Sequence, residues 1–288
     1  MIGSVFAQRF SIEATRPSVA EIDALAAILP PGTPVYLTAV PAVDGRELAA
    51  AAARLRRAGL EPVAHIAVRR LASTVQWQET LRALRTDSDM RRLLVIGGDA
   101  DAAGPFADAL ALIQKGRLRE AGIEEIGIGG YPEGHPHIPA GRLEAATDEK
   151  VAAARAGGLR VHIVSQFSFA PDMVVTWLTR LRQCGIAVPV KIGMAGPASL
   201  TGLMRYAARC GVNASLRGLT SGVAASLLGQ ATGQVGPDRL LAALTAAPGL
   251  GDAAPHYFSF GGVLPTARYA CEAAAGRMTG SHAMARSK

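Results

Sequence analysis

Gly129-Gly130-Tyr131-Pro132-Glu133-Gly134-His135-Pro136 follows directly on a short strand-like run, Ile123 to Ile128. Three glycines and two prolines in eight residues continue no strand and start no regular helix. A stiff loop therefore presents an aromatic ring, a carboxylate and an imidazole, and catalytic residues often sit on loops of this kind. A strand that ends in such a loop is what the mouth of a parallel β-barrel looks like.

Working outward, short β-branched runs alternate with Ala/Leu-rich stretches along the chain, the rhythm of βα units feeding a parallel sheet. Eight strands are expected: Phe10 to Glu13, Val35 to Ala39, Pro62 to Ala67, Leu93 to Ile96, Glu125 to Ile128, Val161 to Gln166, Val188 to Gly193 and His256 to Phe260. Ser18-Val19-Ala20-Glu21 and Ser73-Thr74-Val75-Gln76 have capping-box spacing, and Gly59 after Glu47 to Ala58 is placed to close a helix. Before the eighth strand the pattern predicts three further helices, Ser199 to Cys210, Thr220 to Gln230 and Asp238 to Ala246. A chain of 288 residues suits one barrel of roughly 250 residues plus decoration. The expectation is a single α/β domain over residues 1–288, a (βα)8 TIM barrel with extra helices between strands 7 and 8. A doubly wound sheet is the alternative, and eight strands each followed by helix favour closure.

Apolar residues make up 49% of the chain and charged ones 18%, a composition of folded rather than disordered protein. No apolar stretch approaches the roughly 20 residues of a membrane span, and the N-terminus lacks a basic region followed by an apolar one. A cytoplasmic location is expected. Cys184, Cys210 and Cys271 are scattered and odd in number, which suits reduced thiols packing in helices. The net charge of +7 is spread over many helices without an aromatic-interleaved basic stripe, so it points to anionic small molecules rather than nucleic acid.

Several polar residues lie at or just beyond the C-terminal ends of their expected strands, the end where α/β barrels build active sites. Glu13 closes an otherwise apolar strand, and partial desolvation there would raise its pKa and make it a usable proton donor; an ion pair with Arg9 or Arg16 is the competing account. His65 lies inside an apolar strand, where a hydrogen-bonded core residue is the ordinary reading. Asp99 follows Gly97-Gly98 and is either a turn former or a carboxylate at the mouth. Thr38 and Tyr131 have plain alternatives as β-former and packing residue. His135, between Gly134 and Pro136, occupies a poor core position, and His137 beside it finds no carboxylate or cysteine at ligand spacing, so no metal site is expected. Gln166 ends its strand with an amide that gives and takes hydrogen bonds at once. Gly97-Gly98 and Gly193-Met194-Ala195-Gly196 match no phosphate-binding fingerprint, and no Ser or Cys is paired with a His for acyl transfer.

Taken in order, Ser11-Ile12-Glu13, Val35-Tyr36-Leu37-Thr38, Val63-Ala64-His65, Ile96-Gly97-Gly98-Asp99, the Tyr131-Pro132-Glu133-Gly134-His135-Pro136 loop and Val164-Ser165-Gln166-Phe167 resemble the methylenetetrahydrofolate reductase family over most of the chain. The resemblance implies an oxidoreductase that interconverts 5,10-methylenetetrahydrofolate and 5-methyltetrahydrofolate with NAD(P)H, through FAD. It implies Glu13 as the general acid toward N10 of the folate and Asp99 as the charge beside flavin and folate. Thr38, His65, Gly98, Asp99, Tyr131, His135 and Lys150 become the flavin contacts, and Gln166 and Leu200 the folate contacts; Leu200 reads equally well as a helix core residue.

The chain departs from the family at Gly97, where an Arg commonly meets the flavin phosphate region. The stretch after His135 lacks the Asp and Asn that commonly contact the adenosine side, and Phe258-Ser259-Phe260-Gly261-Gly262 replaces a Tyr and an Arg at the folate. Weakly held FAD follows from these losses. Two rival readings stay open: direct hydride transfer without flavin, and a non-catalytic folate-binding partner of a demethylase or methyltransferase. The expected partner is a tetrahydrofolate derivative, with no nucleic acid and no membrane, and with a homo-oligomer left open.

Overall fold

The computed structural model describes residues 5–38, 44–98, 100–101, 104–210 and 234–277. Eight parallel strands close a barrel: β1 Ser11–Ala14, β2 Pro34–Leu37, β3 Glu61–Ala67, β4 Arg92–Ile96, β5 Glu125–Gly130, β6 Arg160–Phe167, β7 Val190–Ala195 and β8 Ala253–Phe258. β1 pairs with both β2 and β8, through Ile12 with Val35 and Ser11 with His256, so the sheet has no edge and the doubly wound alternative is excluded. All eight expected strands are present. Their bounds differ by a few residues: β1 starts at Ser11 rather than Phe10, β5 runs on through Gly130, and β8 ends at Phe258 rather than Phe260. Ala39 and the helix expected over 220–230 lie outside the described residues.

Helices cover the barrel: α1 Val5–Gln8, α2 Val19–Ile28, α3 Gly45–Arg57, α4 Thr74–Ser88, α5 Ala109–Lys115, α6 Ala140–Ala156, α7 Pro171–Gln183, α8 Leu200–Cys210, α9 Asp238–Ala246 and α10 Val263–Ala274. The expected caps act as the sequence requires. Ser18 accepts from the Glu21 amide while the Glu21 carboxylate accepts from Ser18 N–H at 2.8 Å, a complete capping box on α2. Ser73 makes only half of one, since the Gln76 side chain accepts from Ala72 N–H instead. Gly59 takes φ +79° past the end of α3, and Leu60 N–H closes on Leu55 C=O at 3.0 Å, the bond of a Schellman end. Between β7 and β8, Ala198–Ser199 pairs antiparallel with Gln234–Val235, and α8 and α9 occupy the interval.

The apolar core lies between strands and helices, where Ile12, Val35, Ile126 and Ile163 meet Leu25, Leu55, Leu84 and Leu112, all without exposed surface. A strand's alternate residues face opposite sides of the sheet. The other half of every strand must therefore fill the lumen, and here that half combines a small apolar cluster, Val63, Leu94 and Val164 around Tyr36, with an unusual number of polar side chains.

Candidate active site

Branched apolar side chains usually dominate the layers inside such a barrel. Beside Val63, Leu94 and Val164 this lumen also holds Ser11 and Glu13 from β1, Tyr36 from β2, His65 from β3, His162 from β6, Lys191 from β7 and His256 from β8, with Glu125 of β5 at its lower end. They divide into two groups, one at the C-terminal mouth and one below it.

The upper group is centred on Glu13, which is 8% exposed. Thr38, directly after β2, donates to Glu13 Oε1 at 2.9 Å and in turn lies 2.9 Å from the Thr15 hydroxyl. Oε2 faces two imidazoles, His256 Nε2 at 3.5 Å and His65 Nε2 at 3.9 Å. His256 has no exposed surface, and its Nδ1 lies 2.9 Å from the Ser11 hydroxyl opposite it in the sheet register. The arginines weighed as partners are engaged elsewhere, Arg9 with Asp252 at 2.7 Å and Arg16 with Glu47 at 3.2 Å. Burial raises the Glu13 pKa, against the opposing pull of His65 and the Thr38 hydrogen bond. Burial likewise brings His65 down to about 4 and His256 well below the ordinary histidine value. Both rings are therefore neutral at pH 7. What the site offers is a dry carboxyl that takes up a proton more readily than an ordinary glutamate, held between a hydroxyl and two uncharged imidazoles.

The lower group has the opposite character. His162 Nε2 lies 2.8 Å from the Tyr36 hydroxyl, and its Nδ1 lies 2.8 Å from Glu125 Oε1, off the axis of a good hydrogen bond. Arg92 and Arg160 approach Glu125 Oε2 at 3.3 and 3.4 Å. The His162 contact, followed by the two arginines, brings Glu125 down to about 2 despite its partial burial. Lys191 stands 5.9 Å over the Tyr36 ring, and burial brings it down to about 8. Space for His162 comes from Gly127, since a Cβ there would stand 2.7 Å from His162 Nε2.

At the mouth, Tyr131 follows β5 and packs edge-on against His135 with ring centroids 5.4 Å apart. His135 Nδ1 accepts from His137 N–H at 3.2 Å, and burial lowers its pKa. Gly98, after β4, has φ +85°. Gln166 stands at a register shift between β6 and β7, where Ser165 Oγ takes the Gly193 N–H at 2.9 Å. A Cβ at Gly193 would lie 2.5 Å from the Gln166 carbonyl, so the glycine is what allows the bulge. Bulges re-aim side chains, commonly beside active sites. Leu200 opens α8 in a small apolar cluster with Ala195, Ala198, Leu203, Phe169 and Phe260.

The expected site residues thus fall into three places. Thr38 and His65 each meet Glu13, Tyr131 and His135 form a second pair, and Gln166 and Leu200 stand on the β6–α8 side. Lys150 is set apart on α6, half-buried; burial lowers its pKa, and the charge of Asp108 most opposes that. Asp99 lies outside the described residues. The expectation that the cysteines pack in helices fails for Cys184, which is exposed at the end of α7, and holds for Cys271, whose Sγ lies 3.4 Å from Ile28 C=O.

Sequence reasoning missed Ser11, Tyr36, His162 and His256. A signal was present for two of them: Ser11 and Glu13, and Tyr36 and Thr38, are each two residues apart, the spacing of one sheet face. Polar residues at that spacing in otherwise apolar strands point inward together.

No helix among the described residues is long and apolar enough to cross a membrane. Among solved structures, the chain is similar to a dihydropteroate synthase from Thermus thermophilus, at 14% identity over 91% of each chain with a TM-score of 0.47. It is also similar to an HpcH/HpaI aldolase/citrate lyase family protein from Burkholderia cenocepacia, at 15% identity over 64% of this chain and 87% of that one with a TM-score of 0.35. Neither score is high enough to carry an argument about this chain. The family model described as methylenetetrahydrofolate reductase matches residues 19–215, more than half of the sequence. The chain belongs to the methylenetetrahydrofolate reductase family, a family of folate-related oxidoreductases.

Proposed function

We propose that the chain interconverts 5,10-methylenetetrahydrofolate and 5-methyltetrahydrofolate, with NAD(P)H as electron source and FAD as carrier. The observation that supports this most is the buried Glu13 carboxyl at the barrel mouth, whose pKa burial raises above that of an ordinary glutamate, the direction that suits a general acid. Reduction of the methylene group requires opening of a five-membered ring. Glu13 gives its proton to N10 as the bond from N10 to the methylene carbon breaks, and the bond's electron pair stays on N10. The N5 iminium that results then accepts a hydride. Thr38 keeps Oε1 fixed, so the acidic proton sits on Oε2. Gln166 serves the pterin edge with its amide, and Leu200 covers an apolar face of the substrate.

The residues present fit a flavin. His65 Nε2 is buried with no hydrogen-bond partner among the described residues. Tyr131 folds back over β5, where a Cβ on Gly129 would stand 3.3 Å from its hydroxyl. Thr38, His65, Gly98 and Tyr131 come from four strands that are neighbours around the barrel, β2 to β5. Asp99 and His135 complete that side of the reading, with Lys150 as the phosphate partner. The flavin would supply hydride transfer between nicotinamide and folate, while the protein supplies position and the proton.

Two observations favour the flavin-free alternative. The Thr38 hydroxyl is engaged by Glu13, and Gly97 offers open backbone, with nothing among the described residues within 4 Å of where a side chain would begin. An Arg–phosphate contact is worth about 1.5–3 kcal/mol, so its loss should weaken FAD by roughly one to two powers of ten. The test is to purify the protein without added flavin, record its visible spectrum, and follow folate-dependent NAD(P)H oxidation while FAD is titrated in. Activity rising with FAD is expected. Full activity in flavin-free protein would replace flavin with direct hydride transfer, and no folate-dependent oxidation at saturating FAD would overturn the reaction itself.

A further inference from the structure

Oε2 of Glu13, the oxygen that carries the acidic proton in the reading above, is not held by Thr38. Its neighbours are His256 Nε2 at 3.5 Å and His65 Nε2 at 3.9 Å. The two imidazoles differ in one respect. The second nitrogen of His256 is bound to Ser11, from the residue directly opposite in the β1–β8 register, and the Tyr36 ring closes on its flank with centroids 4.7 Å apart. The His256 ring therefore cannot turn away. The Phe258 ring, 5.1 Å away, packs against it as well.

From this geometry we infer that His256, fixed by Ser11, is the positioning residue of the proton donor and gives Glu13 Oε2 a hydrogen-bond partner in both of its protonation states. The Ser11 hydroxyl donates to Nδ1 and so keeps the proton of the neutral ring on Nε2, which points at Glu13 Oε2. Nε2–H donates to Oε2 in both states, weakly when that oxygen carries the acidic proton and strongly once the proton has gone to substrate and a carboxylate is left. The ring keeps one tautomer throughout and stays uncharged. No net proton is gained or lost by His256 in the cycle.

The surroundings favour an uncharged ring. Among the described residues, Lys191 of β7 and His162 of β6 act on His256 from below, and both disfavour a positive charge there. Glu13 itself is faced by His65 of β3, His256 of β8 and the hydroxyl of Thr38 after β2. A cationic imidazole beside Glu13 would hold the carboxylate ionised and end its use as an acid. A neutral one keeps the acid form accessible.

This inference rests on Glu13 as the proton donor, and it is tested by a reading that does not depend on turnover. Difference infrared spectra of wild type and E13Q isolate the protonated Glu13 carboxyl band, and its pH midpoint is then followed in H256L, H256Q and S11A. In H256L the midpoint should rise by about one unit, because an ionised acceptor loses more with its donor than a neutral acid does. H256Q, with an amide in place of the ring, should return most of that shift, and S11A should move it the same way by less. A midpoint unchanged or lowered in folded H256L overturns the inference, as does an H256Q midpoint no closer to wild type. If H256L does not fold, S11A alone decides, with an upward shift in support and none against. Absence of any protonated Glu13 band across the pH range would instead remove the proton-donor reading itself.

Discussion

Glu13 and Glu125 belong to the same barrel, each within 4 Å of an imidazole, and the protein drives their ionisation in opposite directions. Glu125 meets His162 at 2.8 Å and two guanidinium groups at 3.3 and 3.4 Å, and it is brought down to about 2. Glu13 meets two neutral imidazoles at 3.5 and 3.9 Å and one hydroxyl, with no cation from the described residues, and burial raises it. The difference lies in the cations and contact distances, since burial alone would raise both. A carboxylate that never takes up a proton near neutral pH holds the lumen together, whereas one that does can exchange a proton with substrate. Finding two carboxyls whose surroundings push them apart is a general way to assign acid and structural roles.

The largest effect expected from this contrast is on turnover. E13Q should lose folate reduction by about two to four orders of magnitude, the usual worth of a positioned general acid, while E125Q should stay within about a few-fold of wild type. Steady-state rates with saturating folate compare them, and equal losses in both variants would erase the distinction.

Stability should show the reverse order. The folded pKa of Glu125 is lowered from 4.5 to about 2, so its stabilisation is fully present above about 4.5 and is lost as pH falls toward 2. With its oxygens partly exposed and screened, on the order of 2 kcal/mol is expected. E125Q should be destabilised by that amount in denaturant melts at pH 7, and the gap should close in melts approaching pH 2. A gap independent of pH would mean that the carboxylate's charge is not what stabilises.

The smallest effect concerns the opposite rim. Q166A should weaken folate by about tenfold, the worth of one or two hydrogen bonds, and leave nicotinamide affinity nearly unchanged. Equilibrium binding of each ligand measures this, and equal losses would make Gln166 a structural part of the β6 bulge.

Much of the frame was legible in the sequence because it is written locally. Ser18 and Glu21 are three residues apart and make both bonds of their capping box, and the helix expected over Asp238 to Ala246 has those bounds. The buried carboxyl was legible too, because Glu13 interrupts an apolar strand. Its supports were not. Ser11 meets a histidine 245 positions away and Tyr36 one 126 positions away, contacts set by barrel register rather than by any nearby pattern. His65 is buried, as its ordinary reading as a hydrogen-bonded core residue requires, but its Nε2 has no hydrogen-bond partner among the described residues and stands 3.9 Å from Glu13 Oε2.

The central claim is that the proton of the reaction comes from Glu13 and from no other carboxyl of the lumen. Folate-dependent NAD(P)H oxidation across pH, with FAD supplied, compares wild type, E125Q and E13Q directly. Wild type and E125Q should share one descending limb as pH rises, with a midpoint above the ordinary 4.5 of a glutamate, and E13Q should be slow and flat through that range. A descending limb that survives in E13Q at wild-type height, or one that disappears in E125Q instead, would contradict the assignment.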